Sequence, residues 1–246
     1  MITEPRIFYK PFEYQDAFDF YKNQHRAHWL ADEVPLASDL NDWKLKLNES
    51  EKNLIGNILK SFAQTEVHVN DYWSTKVSVW FPKPEIQAMA RVFADFESIH
   101  AEAYARLNEE LGLDDFKAFL EDETSKNKIE RLIEVPGNTI EEQAISLAIF
   151  SAFTEGVNLF SSFAILMSFQ LRNLMKGTGQ IVEWSVRDES LHSKAGCWLF
   201  RTLLDENPEL NTDVLRDAVI EACQLSVQLE FDFIDKAFEM GDVEGL

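Results

Sequence analysis

From Ala144 to Leu171 the chain reads AISLAIFSAFTEGVNLFSSFAILMSFQL, 28 residues with a single charge, Glu155. By length and hydropathy such a stretch could cross a bilayer. Against a membrane span, Asn158, Gln170 and several Ser and Thr residues dilute it, neither flank is rich in Lys or Arg, and its neighbours are amphipathic. A helix apolar on all sides is otherwise the buried central helix of a large bundle. The lone carboxylate in its middle then requires compensation, because burying an unpaired charge costs far more than one helix position supplies.

Working outward, periodicity predicts long helices over 11–29, 49–77, 84–111, 140–170, 178–205 and 211–239. Asn48-Glu49-Ser50-Glu51 gives a polar start to the second, and Phe81-Pro82-Lys83-Pro84 ends it and opens the third. Leu111-Gly112-Leu113 closes that helix. Val135-Pro136-Gly137-Asn138 precedes the fourth, with Thr139 as N-cap and Glu142 three residues on, and Lys176-Gly177-Thr178-Gly179 separates it from the fifth. Helices of such length suit a bundle. The 246 residues are 46% hydrophobic with only nine Gly and seven Pro, too little punctuation for an all-β fold, and a single domain over 1–246 is expected.

Charge narrows the function classes. With 43 acidic against 23 basic residues the formal net charge is −20, which excludes a binder of nucleic-acid backbones. No P-loop or dinucleotide turn is present, since Gly177-Thr178-Gly179 lacks both the Lys-Ser/Thr and a preceding strand. Cys197 and Cys223 are too few for a disulfide framework or a thiolate zinc site, which fits a reducing cytoplasm. The first thirty residues carry no basic segment followed by an apolar run, so no signal peptide is expected.

Two of the five histidines follow a Glu by three residues, Glu97-Ser98-Ile99-His100 and Glu189-Ser190-Leu191-His192, both in the middle of a helix. At about 100° per residue, Glu97 and His100 share a helix face, and Tyr104 falls between them. The Glu189 stripe carries Val182, Ser185, His192 and Gly196, small side chains where something bulky must approach. Each pair alone reads most simply as a solvated ion pair. Glu155 in its apolar helix and Glu66 in the second helix shift that balance, because four helices then each offer a buried Glu. A Glu from each of two helices joined to an E-x-x-H from each of two others is the donor set of a dinuclear carboxylate centre. Two divalent ions would offset four carboxylates that a dry core could not otherwise hold. Imidazole with hard oxygen donors suits iron or manganese. The expected ligands are Glu66, Glu97, His100, Glu155, Glu189 and His192. His68 lies on another face from Glu66, and His25 and His28 have no carboxylate at ligand spacing.

These residues resemble the small, radical-generating subunit of class I ribonucleotide reductase along essentially the whole chain. Glu97-Ser-Ile-His100-Ala-Glu-Ala-Tyr104 is similar to that family's E-x-I-H-x-x-x-Y helix, and Arg187-Asp188-Glu189-Ser-Leu-His192 to its R-D-E-x-L-H helix. His28-Trp29-Leu30-Ala31-Asp32-Glu33-Val34 resembles its W-x-x-E/D-E-V segment. Ferritins share the bundle and the metal pair but not the combination of Trp29, Asp188 and Tyr104.

The resemblance implies an all-α, ferritin-like bundle that forms a homodimer and stores an oxidising equivalent. That equivalent passes to a large catalytic subunit, which reduces ribonucleotides to deoxyribonucleotides. It also implies catalytic roles for Tyr104, as the radical site or its neighbour, and for Trp29 and Asp188, which with His100 form the transfer route. Leu159 and Phe163 are expected to shield the centre. Glu66 stands where most of the family has Asp, which resembles the manganese-using subgroups; a Mn/Mn pair is favoured, with Fe/Fe and Mn/Fe as alternatives. Relatives continue past the equivalent of Leu246 with a further helix and a tail carrying a relay tyrosine, so this sequence as it stands is expected to assemble the cofactor but dock poorly. The competing readings are a ligand-binding metal oxidase of the same superfamily and a ferritin-like storage or ferroxidase bundle. No nucleic-acid or membrane partner is expected.

Overall fold

The computed structural model describes residues 1–113, 115, 121–130 and 136–246, and the regular structure in them is entirely helical. Helix α1 spans Gln15–Arg26, α2 Ala37–Leu45 and α3 Glu49–Asp71, which runs on through a π-helical segment, Tyr72–Val77, to Ser78–Trp80. Helix α4 is Pro84–Leu111 and α5 is Glu123–Glu130. Helix α6 has three parts, Ile140–Ala148, a π-helical Ile149–Val157 and Asn158–Leu171. Helices α7, Lys176–Glu206, and α8, Asp213–Ala237, complete the chain.

Local chemistry accounts for most of these boundaries. Asn48 and Glu51 form a reciprocal cap at the start of α3, as do Thr139 and Glu142 at the start of α6. Pro84 opens α4, where its missing N–H is no loss, and Gly112 closes it in the left-handed conformation at φ 73°. Of the break expected before α6, Val135 lies outside the described residues.

Helices α3, α4, α6 and α7 form the central bundle, with α1 laid across α4 and α8 against α3, α5 and α6. The short links of Phe81–Lys83 and Arg172–Met175 make α3/α4 and α6/α7 antiparallel pairs. Helix α6 is the central apolar helix that its composition predicts. The span Ile140–Leu171 is long and apolar enough for a bilayer, yet 67% of its most apolar window is buried inside the fold.

Three expectations need correction. The first helix is shorter than 11–29, because residues ahead of Gln15 are held as a loop. Buried Glu85 accepts the Glu13 and Tyr14 amides and pairs with Arg6, which reaches the Phe8 and Tyr9 carbonyls. The glycines at 177 and 179 do not separate two helices. They lie inside α7 because a Cβ at Gly177 would come 2.9 Å from the Pro35 carbonyl, and one at Gly179 2.1 Å from the Gln170 amide. The break falls instead at Asn173 and Met175, both at positive φ. Finally, α2 is an unexpected helix whose role is tertiary. Its buried Asp39 accepts the Gly177 and Thr178 amides at 2.9 and 2.6 Å, and Asp42 accepts that of Met175 at 3.0 Å, capping α7 from another element.

Candidate metal centre

The four bundle helices deliver their chemistry at one level. Helix α3 supplies Glu66, α4 supplies Glu97 and His100, the π-helical part of α6 supplies Glu155, and α7 supplies Glu189 and His192; all six are 0% exposed. Their donor atoms fall into two groups, Glu66 with Glu97, His100 and Glu189, and Glu155 with Glu97, Glu189 and His192, each within 4.8 Å. Glu97 and Glu189 belong to both groups, so each subsite has its own Glu and His and shares two carboxylates.

The imidazoles are oriented by what lies behind them. His100 Nε2 is 3.3 Å from Asp188 Oδ2, and His192 Nε2 is 3.2 Å from Gln24 Oε1. Two outward acceptors place the ring proton on Nε2 and leave each Nδ1 lone pair facing inward. There His100 Nδ1 is 2.9 Å from Glu189 Oε1, and His192 Nδ1 is 2.6 Å from Glu97 Oε1. Close as they are, many of these atoms are not aligned with one another. Both Glu66 oxygens, both Glu189 oxygens, Glu97 Oε1, Glu155 Oε2 and His192 Nδ1 have no hydrogen bond of acceptable geometry. Buried acceptors left without donors are costly, and lone pairs converging on shared points match a cation between them.

Electrostatics agree with that reading. Burial, reinforced by the Glu97 charge, holds the Glu66 carboxyl well above the usual carboxylate range, and burial with the Glu189 charge does the same to Glu155. Burial opposes charge on both histidines, but the hydrogen bond to Asp188 and the adjoining Glu189 and Glu97 carboxylates outweigh it at His100. At His192 the Glu97 charge and Glu189 push the value up to about 9. Burial opposes charge on Glu189 too, but the adjoining Glu155, His100 and His192 outweigh it and draw its carboxyl well below the ordinary value. Without a cation, the site is short of positive charge and recruits protons.

Around it, Trp29 donates its indole N–H to Asp188 Oδ2 at 2.8 Å, so Trp29, Asp188 and His100 form one hydrogen-bonded chain. Tyr104, fully buried, donates to Ser185 Oγ at 2.8 Å, and burial raises its phenol far above 10. Leu159 and Phe163 are buried, and Phe163 packs at a tilt on Phe62, which contacts Tyr104. His25, His28 and His68 are exposed and stand outside the cluster. Two polar side chains at the centre had no motif to reveal them. Gln24 on α1 donates from Nε2 to Asp188 Oδ1 at 3.0 Å, and Trp73 on α3 donates to Glu155 Oε1 at 2.8 Å. Gln24 does lie seven residues from buried Ala17, but that pattern alone does not favour it over its exposed neighbours.

Residues 6–246 match the family model described as ribonucleotide reductase, small chain. The chain belongs to the ribonucleotide reductase small-chain family. It is 35% identical to a probable ribonucleoside-diphosphate reductase small subunit of Invertebrate iridescent virus 6, over 97% of this chain and 72% of that relative. Two similar solved structures carry metal. One is a dimanganese(II)-NrdF from Streptococcus sanguinis, with TM-score 0.84 and 20% identity over 96% of this chain and 84% of that one. The other is an R2-like ligand-binding oxidase with a Mn/Fe cofactor, with TM-score 0.79 and 16% identity over 93% and 82%. At such identities the two structures show the shared small-chain fold.

Proposed function

We propose that this chain is the radical-generating small subunit of a class I ribonucleoside-diphosphate reductase. In this reading it holds two metal ions through Glu66, Glu97, His100, Glu155, Glu189 and His192. The observation that carries it is the set of inward, undonated carboxylate and imidazole atoms, joined through His100 and Asp188 to the indole of Trp29. A storage bundle needs the first feature but has no use for the second.

A metal pair held by these six residues would supply the electrons that reduce O2 or a reduced oxygen species, and the oxidising equivalent so gained would remain at the site. The protein's own residues do the rest. Asp188 accepts from both His100 and Trp29, so a proton and an electron can move along one aligned set of groups. The Phe62 and Phe163 rings cover Tyr104, whose phenol keeps its proton at Ser185. We assign Trp29, at 2% exposure, to radical transfer, and Tyr104, at 0%, as the radical site or, beside a metal-centred oxidant, its unoxidised neighbour.

The finer assignments are a Mn/Mn pair, with Fe/Fe and Mn/Fe as alternatives, a homodimer, a large catalytic subunit as partner, and a cytoplasmic setting. Glu66 supports manganese through the resemblance, since donor chemistry by itself does not separate manganese from iron. Elemental analysis of the purified chain after anaerobic metal loading tests the centre, with two ions per chain expected. Electron paramagnetic resonance after oxidation then separates a coupled manganese pair from a tyrosyl signal over iron. Uptake of many ions per chain would favour storage, and absence of stoichiometric metal would remove the proposal. Glu155→Ala should lose one of the two ions.

A further inference from the structure

Glu66 and Glu155 occupy equivalent places in the two subsites, but their oxygens are not equivalent. Neither Glu66 oxygen has a hydrogen-bond partner, whereas Glu155 has one free oxygen, Oε2, because Oε1 accepts the Trp73 indole N–H at 2.8 Å. Both ends of that bond sit in π-helical segments, Trp73 in Tyr72–Val77 and Glu155 in Ile149–Val157. A π turn takes in extra chain and shifts the facing of everything after it, and such turns recur at functional sites. Here two of them meet across the bundle to align one donor with one acceptor.

Trp73 is itself held firmly. It is 0% exposed, with Phe93 and Phe150 edge-on at 5.0 and 5.7 Å and the His192 ring at 6.0 Å. It follows Glu66 by seven residues in the same continuous helix, about 10 Å further along the axis, with the π-helical segment that starts at Tyr72 setting its facing. A single helix therefore offers a carboxylate to one subsite and an N–H to the ligand of the other.

We propose that Trp73 is a positioning residue that makes the two metal subsites unequal. By donating to Oε1 it would weaken that oxygen as a metal donor and bias Glu155 toward Oε2, whereas both Glu66 oxygens would be equally available. The proposal rests on the two-metal reading above. Its consequence is that manganese fills the subsites with different affinities, and that the Glu155 subsite depends on the Trp73 N–H.

The test is anaerobic titration of the metal-stripped full-length chain with Mn(II), free ion being counted by electron paramagnetic resonance, alongside thermal melting without metal. Trp73→Phe keeps an aromatic ring but removes the donor, and Trp73→Gln restores a side-chain N–H of similar reach while forfeiting packing. Trp73→Phe should weaken one of the two binding steps about tenfold, in the range found when groups behind metal ligands are removed, and leave the other step unchanged. Trp73→Gln should melt at lower temperature yet recover most of that affinity. A Trp73→Phe isotherm that superposes on the parent, or equal losses in both variants, overturns the role of the N–H while leaving the metal centre intact. A parent chain that takes up no manganese overturns both readings.

Discussion

The Gln24 amide has its orientation fixed by what it faces. Asp188 Oδ1 requires a donor and the His192 N–H requires an acceptor, so Nε2 points to one and Oε1 to the other. Together with the His100–Asp188 contact, this ties both imidazoles into one network behind the carboxylate cluster. Gln24→Leu would leave the His192 N–H buried without an acceptor and Asp188 Oδ1 with only the 3.6 Å contact to Arg187, and should lower the stability of the metal-free chain by about 1–3 kcal/mol. Denaturant unfolding of the two proteins measures this; an unchanged midpoint would mean that water replaces the amide. Glu97, His100, Glu189 and His192, four of the ligands we propose, were legible because the E-x-x-H spacing puts both donors of a pair on one face of one helix. Gln24 and Trp73 were not, because each acts across a tertiary contact that no spacing along their own helices encodes.

Glycine shows at the scale of elements why contact geometry decides the sign of a substitution. Gly196 on α7 meets the π-helical part of α6 so closely that a Cβ would lie 1.9 Å from Ser151 Oγ and 2.6 Å from its Cβ. At Gly56 on α3, an added Cβ would meet only Leu113 methyl groups, at 3.5 Å. Helix propensity favours Ala over Gly at both positions by about 1 kcal/mol. Gly56→Ala should therefore stabilise by about 0.5–1 kcal/mol, whereas Gly196→Ala should destabilise by about 1–3 kcal/mol as the helices are forced apart. Thermal melting of the two single variants checks the pair, and a rise at Gly196 would refute the close approach. The small-residue stripe on α7 announced this contact in the sequence, but the π turns it packs against left no trace there. A helix apolar on all sides has no hydrophobic phase, so a slip in its register alters nothing in the pattern.

For the whole molecule, the six clustered carboxylates and imidazoles make stability depend on protons and, in the reading we propose, on metal as well. Glu66, Glu155, His100 and His192 all have values raised in the folded, metal-free chain, the last to about 9. A raised group stabilises fully below its unfolded value, near 4.5 for Glu and 6.5 for His, and loses that contribution as pH climbs through its folded value. All four therefore act in the same direction, and the folded chain holds more protons than the unfolded one from mild acid to about pH 9. Glu189, lowered, has the opposite sign, but its effect is confined to the acid side of 4.5. The metal-free protein should melt at progressively lower temperature between pH 6 and pH 9. Divalent ions take the place of those protons, so binding should release on the order of two protons per chain and tighten as pH rises. Calorimetric titration with Mn(II) at pH 7, in two buffers of different ionisation enthalpy, counts the protons released. Zero release, or a metal-free melting temperature that rises over the same interval, would show that the carboxylates enter the fold already charged. Their repulsion would then have to be relieved by some means other than protons or metal, and the metal-loaded chain would lose its reason to be less sensitive to pH than the empty one.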